Sequence, residues 1–193
     1  MQDKLFEIIE NEDVEDCFDL NGKFLAQSLG VDQEELQYLP KIELKVDTNY
    51  HNLQVTGEIL PSLEYLKLND SVITSFRDIG TSFKNLQILY LGRCELKEVQ
   101  GIQAFEQLEE LYMGYNEIED LFDIGFIEHL RVLDFEGNNI SDYEQLYYLS
   151  RCTKLTHLNL KYTPIARGKK VTGEDVKEDN QPSDNIKLYY QKI

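Results

Sequence analysis

The chain repeats one pattern of apolar positions six times. Each unit opens with the form LxxLxL, with an Ile, Met or Phe replacing one leucine in some units. The units begin at Leu39, Leu63, Leu86, Leu108, Leu130 and Leu155, so their starts lie 24, 23, 22, 22 and 25 residues apart. A near-constant step of this length is typical of a solenoid, in which each unit stacks on the next.

Two spacings inside each unit predict two kinds of element. Alternate residues of a strand point to opposite sides, so Leu66 and Leu68 are expected to face the core from a short parallel strand. Apolar residues three to four apart follow, as in Ile73, Phe76, Ile79 and Phe83 or Ile118, Leu121, Ile124 and Ile127. The pattern predicts an α/β solenoid with strands on the concave face and helices or 3-10 turns on the convex face.

The ninth residue of each unit is expected to point inward. These residues are Asp47, Ser71, Cys94, Asn116, Asn138 and Thr163. An asparagine there satisfies backbone groups of the turn with both a donor and an acceptor, and the other types do part of this. We therefore interpret Asn116 and Asn138 as structural residues and not as a binding site.

Residues between the buried apolar positions are expected to line the concave face. The third positions are Lys41, Tyr65, Ile88, Glu110, Val132 and His157, and the fifth are Glu43, Lys67, Tyr90, Tyr112, Asp134 and Asn159. The eighth positions are Val46, Asp70, Arg93, Tyr115, Gly137 and Tyr162. Matching positions on neighbouring strands lie about 4.8 Å apart, which brings several aromatic residues into one patch.

This patch is the predicted partner-binding surface. Its residues are Tyr65, Lys67, Ile88, Tyr90, Arg93, Glu110, Tyr112, Tyr115, Val132, Asp134 and His157. Tyrosine and arginine are the types that most often anchor protein interfaces. The alternative is that tyrosines are simply common on strand surfaces.

The ends of the chain differ from the repeats. Residues 1–38 are predicted to form a helical, acidic N-terminal cap, residues 39–165 the six-unit solenoid, and residues 166–193 a polar tail with a short apolar end. Gly30 is expected to end one cap helix, and the sequence Asp32-Gln33-Glu34-Glu35 is expected to open another. The last residues of the tail either fold back as a cap or serve as a docking peptide.

The net charge of −17 excludes some partners. Such a surface repels nucleic acid and anionic lipid, and it favours a basic partner protein or simply solubility. Residues 1–36 hold eleven Asp and Glu and only two Lys, so they are either a solvated cap or an acidic docking arm. No apolar run approaches the roughly 18 residues that a membrane span needs.

Nothing in the pattern predicts an active site. The histidines, His51, His129 and His157, have no serine or cysteine near them in this register. Gly92, Gly114 and Gly137 recur at turns and form no phosphate-binding loop. Cys17, Cys94 and Cys152 lack metal-ligand spacing, and their odd number favours reduced thiols in the cytoplasm. We expect a non-enzymatic protein without cofactor or metal.

The repeat form over residues 39–165 resembles the intracellular class of 22-residue leucine-rich repeats, which includes a phosphatase regulatory subunit. Residues 44–102 further resemble a family of ciliary leucine-rich repeat proteins that act in maturation and transport of outer dynein arms. The shared features are Val46-Asp47-Thr48, LPSLEYLKLNDSVI, Asp78-Ile79-Gly80 and Leu91-Gly92-Arg93-Cys94, and they continue through residues 111–121 and 133–142.

This resemblance implies an adaptor of the cytoplasm and the cilium or flagellum. Its partners would be outer dynein arm components and intraflagellar transport proteins. Separately, we expect the chain to be a monomer by itself. The family supplies no catalytic residues. A regulatory subunit of a protein phosphatase is the alternative. One departure is that Pro164-Ile165-Ala166-Arg167 leads directly into the polar tail, where related repeats often have an aromatic-rich cap.

Overall fold

The computed structural model describes residues 20–167, and the predictions for residues 1–19 and 168–193 lie outside this range. Six strands form one parallel sheet: β1 (Lys41–Glu43), β2 (Tyr65–Lys67), β3 (Ile88–Tyr90), β4 (Glu110–Tyr112), β5 (Val132–Asp134) and β6 (His157–Asn159). The α-helices are α1 (Gly22–Leu29), α2 (Leu53–Ile59) and α3 (Gln145–Tyr148). The 3-10 helices are Gln33–Tyr38, Phe76–Ile79, Ile102–Ala104, Asp123–Phe126 and Leu149–Arg151.

The strands pair in chain order, from β1 to β6. Each strand is only three residues long, and its central leucine or isoleucine faces the core, because the two neighbouring side chains point the opposite way. Leu66 and Leu89 are paired in register and are fully buried. The predicted α/β solenoid is confirmed.

The segments that return from one strand to the next close the core on the convex side. Phe76 and Phe105 come from successive return segments, and their rings meet edge to face at 5.7 Å between centroids. Both rings are buried together with the apolar residues spaced three to four apart in each unit. One unit alone has no second layer, so its apolar face is buried only by its neighbours.

A short helical segment precedes the first strand. Asn21 caps α1 by accepting a hydrogen bond from the Phe24 N–H at 3.0 Å. Gly30 ends the helix in the left-handed conformation at φ 63°, as predicted for a C-cap glycine. The backbone N–H of Asp32 donates to the Glu35 carboxylate at 3.2 Å, and a 3-10 helix follows, as the local pattern predicts. The division into cap, solenoid and tail stays a prediction.

The inward position of the ninth residues is confirmed for five of the six units. Ser71, Cys94, Asn116, Asn138 and Thr163 are buried. Asp47 is only partly buried, because its carboxylate accepts from the Asn49 backbone and side chain in the local turn. The prediction for Asp47 is therefore wrong in part.

The prediction that Val46 is exposed at the eighth position is wrong, since Val46 is only 4% exposed. In the other five units, the eighth residue turns the chain with a positive φ; these residues are Asp70, Arg93, Tyr115, Gly137 and Tyr162. A β-branched residue strongly disfavours that conformation. The first unit stays extended instead, with a parallel bridge between Asp47 and Val72, and its alternation turns Val46 inward.

Candidate partner-binding surface

The third and fifth positions form two rows across the solvent-facing side of the sheet, called here the concave face. In one row Tyr65, Ile88, Glu110, Val132 and His157 are in register, and in the other Lys67, Tyr90, Tyr112, Asp134 and Asn159. Tyr115 and Arg93 lie at the adjoining turns, where both are exposed. The structure thus brings the predicted residues onto adjacent units, and their role in binding stays a prediction.

Three tyrosines form a ladder across β2, β3 and β4. The Tyr65 and Tyr90 ring centroids lie 5.3 Å apart with the rings tilted by 42°. Tyr90 and Tyr112 are stacked, with centroids 4.2 Å apart and an angle of 3° between the rings. Lys41 Nζ lies 4.5 Å from the centroid of Tyr65. The three rings are half-buried because each covers part of its neighbour.

Ion pairs balance the charges at the N-terminal end of the concave face. Lys67 Nζ lies 3.0 Å from a Glu43 carboxylate oxygen, and Lys41 Nζ lies 3.8 Å from the other. At the turns, the Arg93 guanidinium donates two hydrogen bonds to the Asp70 carboxylate, and this contact lowers the pKa of Asp70. The Arg93–Asp70 pair is solvent-exposed, so it fixes side-chain positions more than it stabilises the fold.

The C-terminal end of the concave face is acidic. Glu110, Asp134 and Glu136 lie there, and in residues 20–167 no lysine or arginine forms an ion pair with any of them. The Asn159 amide donates to Asp134 at 3.1 Å and to Glu136 at 3.0 Å. The Tyr115 hydroxyl also donates to Glu136, and this bond, together with that from Asn159, lowers the pKa of Glu136. The two neutral donors thus favour the charged form of Glu136, and the charge of Lys161 adds to their effect.

Tyr112 joins the ladder to this acidic end. Its hydroxyl donates to the Glu110 carboxylate at 2.8 Å. Burial, and then the hydrogen bond to Glu110, raise the pKa of Tyr112 well above the ordinary value of 10.0. The phenol therefore stays a proton donor at neutral pH, and its ring and hydroxyl are both fixed in place.

Sequence reasoning left Glu136 and Asn159 out of the site. Asn159 is a fifth-position residue, and Glu136 is two residues beyond Asp134, so the same alternation points to both. Their importance depends on the Asn159 side-chain amide, which donates to both Asp134 and Glu136. The sequence pattern alone does not show these contacts.

The described residues show little that resembles a catalytic centre. Within residues 20–167, no group of His, Cys, Asp and Glu side chains is arranged to hold a metal ion. Cys94 and Cys152 are buried, and burial raises the pKa of each thiol to about 11. In the same range, no helix has the length and apolar character to cross a bilayer.

Comparison with known proteins identifies the architecture. The family model described as Leucine Rich repeat matches residues 127–142, which include β5 and its turn. The chain has the leucine-rich repeat fold. An internalin from Listeria monocytogenes has a similar structure, with a TM-score of 0.51 and 22% identity over 63% of this chain and 34% of that chain. This likeness supports the fold alone.

Curated relatives share the fold and a substantial part of the sequence. Leucine-rich repeat-containing protein 56 of Rattus norvegicus is 46% identical over 128 residues, and the human protein of that name is 43% identical over the same length. The match covers 66% of this chain but only 23% and 24% of those proteins. Leucine-rich repeat domains bind protein partners and are typically non-catalytic.

Proposed function

We propose that the chain holds a partner protein on its concave face and acts as a non-enzymatic adaptor in assembly or transport of ciliary outer dynein arms. It would work in the cytoplasm and the cilium or flagellum, with dynein-arm components and intraflagellar transport proteins as partners. The observation that carries the binding role is the stacked tyrosine ladder, which ends beside carboxylates that form no ion pair within residues 20–167.

The ladder is suited to binding because its rings are already ordered. Tyr90 is stacked against Tyr112, and the Tyr112 hydroxyl is fixed by Glu110. Association therefore loses less side-chain entropy than it would for freely rotating residues. Tyrosines of this kind are frequent anchors of protein interfaces.

The charges near the ladder favour a basic partner. Glu110, Asp134 and Glu136 accept hydrogen bonds from neutral tyrosine or asparagine side chains, and within residues 20–167 none of them forms an ion pair. A lysine or arginine of the partner would find complementary charge beside an aromatic surface. The same charge, in a chain of net −17, disfavours nucleic acid.

The ciliary role rests on sequence resemblance. Residues 44–102, 111–121 and 133–142 resemble the dynein-arm family in turns and convex segments that the generic repeat does not dictate. The chain spans about a quarter of the length of the relatives it matches, so partners of their remaining parts are not assigned to it.

Co-precipitation from ciliated cells tests this proposal. The full chain would be compared with Tyr90→Ala/Tyr112→Ala and with the control Tyr147→Ala, which removes a 73% exposed tyrosine from α3. Dynein-arm or transport proteins should accompany the wild type and the control but not the double variant. A phosphatase catalytic subunit in their place would favour the alternative of a regulatory subunit. Equal recovery of dynein-arm proteins by all three chains would contradict binding through the ladder.

A further inference from the structure

A second aromatic surface lies on the convex side of the fourth and fifth units. The Phe122 ring meets Phe126 edge to face at 5.2 Å between centroids, and it meets Tyr148 in the same way at 5.2 Å. Arg151 Cζ lies 5.4 Å from the centroid of Phe126. We call these four residues the convex patch. Phe122 and Phe126 remain 43% and 46% exposed.

The repeat itself shows that the fold does not require these phenylalanines. Phe122 and Phe126 are the fifteenth and nineteenth residues of their unit. The same positions hold Arg77 and Thr81 in the second unit and Gln100 and Ala104 in the third, whereas the longer fifth unit has Glu144 and Tyr148 there. Two large apolar rings, partly exposed at positions that the second and third units fill with polar or small residues, indicate an interaction surface.

A cleft of about 290 Å³ adjoins the patch, and Phe126 forms part of its wall. Glu106 and Glu128 also line this cleft, and in the part of the chain that the structure describes neither carboxylate forms an ion pair. The nearby cations have other contacts, since Arg151 lies over Phe126 and Lys154 Nζ is 2.8 Å from His129 Nδ1. The cleft therefore offers negative charge directly beside an apolar ring.

We propose that the convex patch and this cleft bind a segment of a partner protein that carries apolar side chains and lysine or arginine. Its apolar side chains pack on Phe122 and Phe126, and a basic side chain reaches Glu106 and Glu128. This surface is separate from the concave face, so the chain has two places for two proteins, as an adaptor needs.

A synthetic amphipathic peptide of leucine and lysine, with leucines at helical spacing, tests the proposal. Two matched peptides replace every leucine by serine or every lysine by glutamate. Calorimetry gives the affinity, and backbone amide shifts of the full chain give the location. The leucine–lysine peptide should shift residues of the Asp123–Phe126 and Leu149–Arg151 segments. Each matched peptide should bind at least about tenfold more weakly.

Two variants test whether the side chains of the convex patch and of the cleft bind the peptide. Phe122→Ser/Phe126→Ser should weaken the leucine–lysine peptide at least about tenfold. Glu106→Gln/Glu128→Gln changes only surface charge, so it should fold normally and still bind about tenfold more weakly. Tyr90→Ala/Tyr112→Ala should bind the peptide normally, which separates this result from failure of the concave-face proposal.

Three results would overturn the proposal. The first is unchanged affinity in both the phenylalanine and the glutamate variants. The second is a set of shifts confined to the concave face. The third is a dimer in sedimentation that Phe122→Ser/Phe126→Ser dissociates, because the patch would then be covered by a second copy of this chain.

Discussion

Asn116 and Asn138 donate their side-chain amides to the same acceptor, the carbonyl oxygen of Met113, at 2.9 and 2.8 Å. The two residues occupy the ninth positions of consecutive units, so one shared acceptor joins the turns of both units. Asn116 also accepts from the backbone N–H groups of Cys94 and Leu96, whereas among the described residues Asn138 accepts only from that of Ile118. The inward-pointing amides thus provide hydrogen-bond partners for backbone groups of the turns, which are buried where the units stack.

Removal of either amide should destabilise the fold. We expect Asn138→Ala to lower the free energy of unfolding by about 1–3 kcal/mol, the usual cost of stranding buried polar groups. Asn116→Ala should cost more, because it leaves two backbone donors without an acceptor instead of one. Denaturant unfolding measures both, with exposed Asn139→Ala as the matched control. Asn138→Ala and Asn139→Ala of equal stability would contradict the role of the ninth position.

Two glycine substitutions should have opposite effects on stability. A Cβ on Gly57, inside α2, would lie 2.8 Å from Ser82 Cβ and 3.1 Å from the Ser82 backbone carbon. Gly57→Ala should therefore cost about 1–3 kcal/mol through overpacking, although alanine favours helix. A Cβ on Gly22 would make ordinary contacts at 3.7 Å or more, so Gly22→Ala should stabilise by about 0.5–1 kcal/mol. Thermal unfolding measures both effects. A Gly57→Ala variant more stable than the wild type would show that α2 and the segment at Ser82 do not pack as described.

Tyr112 should make the stability of the protein depend on alkaline pH. Its phenol has a raised pKa in the folded chain, caused by burial and by Glu110. Well below pH 10.0 the phenol is protonated in both the folded and the unfolded chain, so it adds no pH dependence. Above that pH the unfolded chain loses this proton more readily, so stability should fall as pH rises.

The difference in tyrosinate absorbance between wild type and Tyr112→Phe reports this titration. We expect the Tyr112 step above the ordinary tyrosine range, and Glu110→Gln should move it downward because the carboxylate acceptor is gone. The stability of Tyr112→Phe should fall less steeply with pH than that of the wild type. A Tyr112 step at the ordinary value would show that its hydroxyl is free in solution.

The periodicity of the sequence predicts which residues of this fold are buried. Leu66 in β2 and Leu68 just after it are buried because alternate residues of this extended segment face the core, and that alternation is visible in the sequence. Val46 is the exception to the prediction that the eighth residue of each unit is exposed. The eighth residue is at least partly exposed where the turn adopts a positive φ, whereas the chain stays extended beyond β1 and Val46 points inward.

The sequence predicts which residues lie on the concave face, but not how their side chains are oriented. Register alone places Tyr90 beside Tyr112, whereas the 3° angle between their rings depends on side-chain rotamers. Phe122 and Phe126 do not stand out in the sequence, because the repeat pattern identifies the apolar residues that fill the core and not those that lie outside it. Comparison of matching positions between units supplies that missing signal.

The affinity of the concave face for a co-precipitated dynein-arm or transport protein tests the central proposal most directly. Calorimetry would compare the wild type with Tyr90→Ala, with Tyr112→Ala and with Tyr147→Ala. Each ladder variant should lose about 2 kcal/mol or more of binding free energy while unfolding as the wild type does. Tyr147→Ala should bind as the wild type does. Wild-type affinity in both ladder variants would contradict the proposal and place the partner elsewhere on the solenoid.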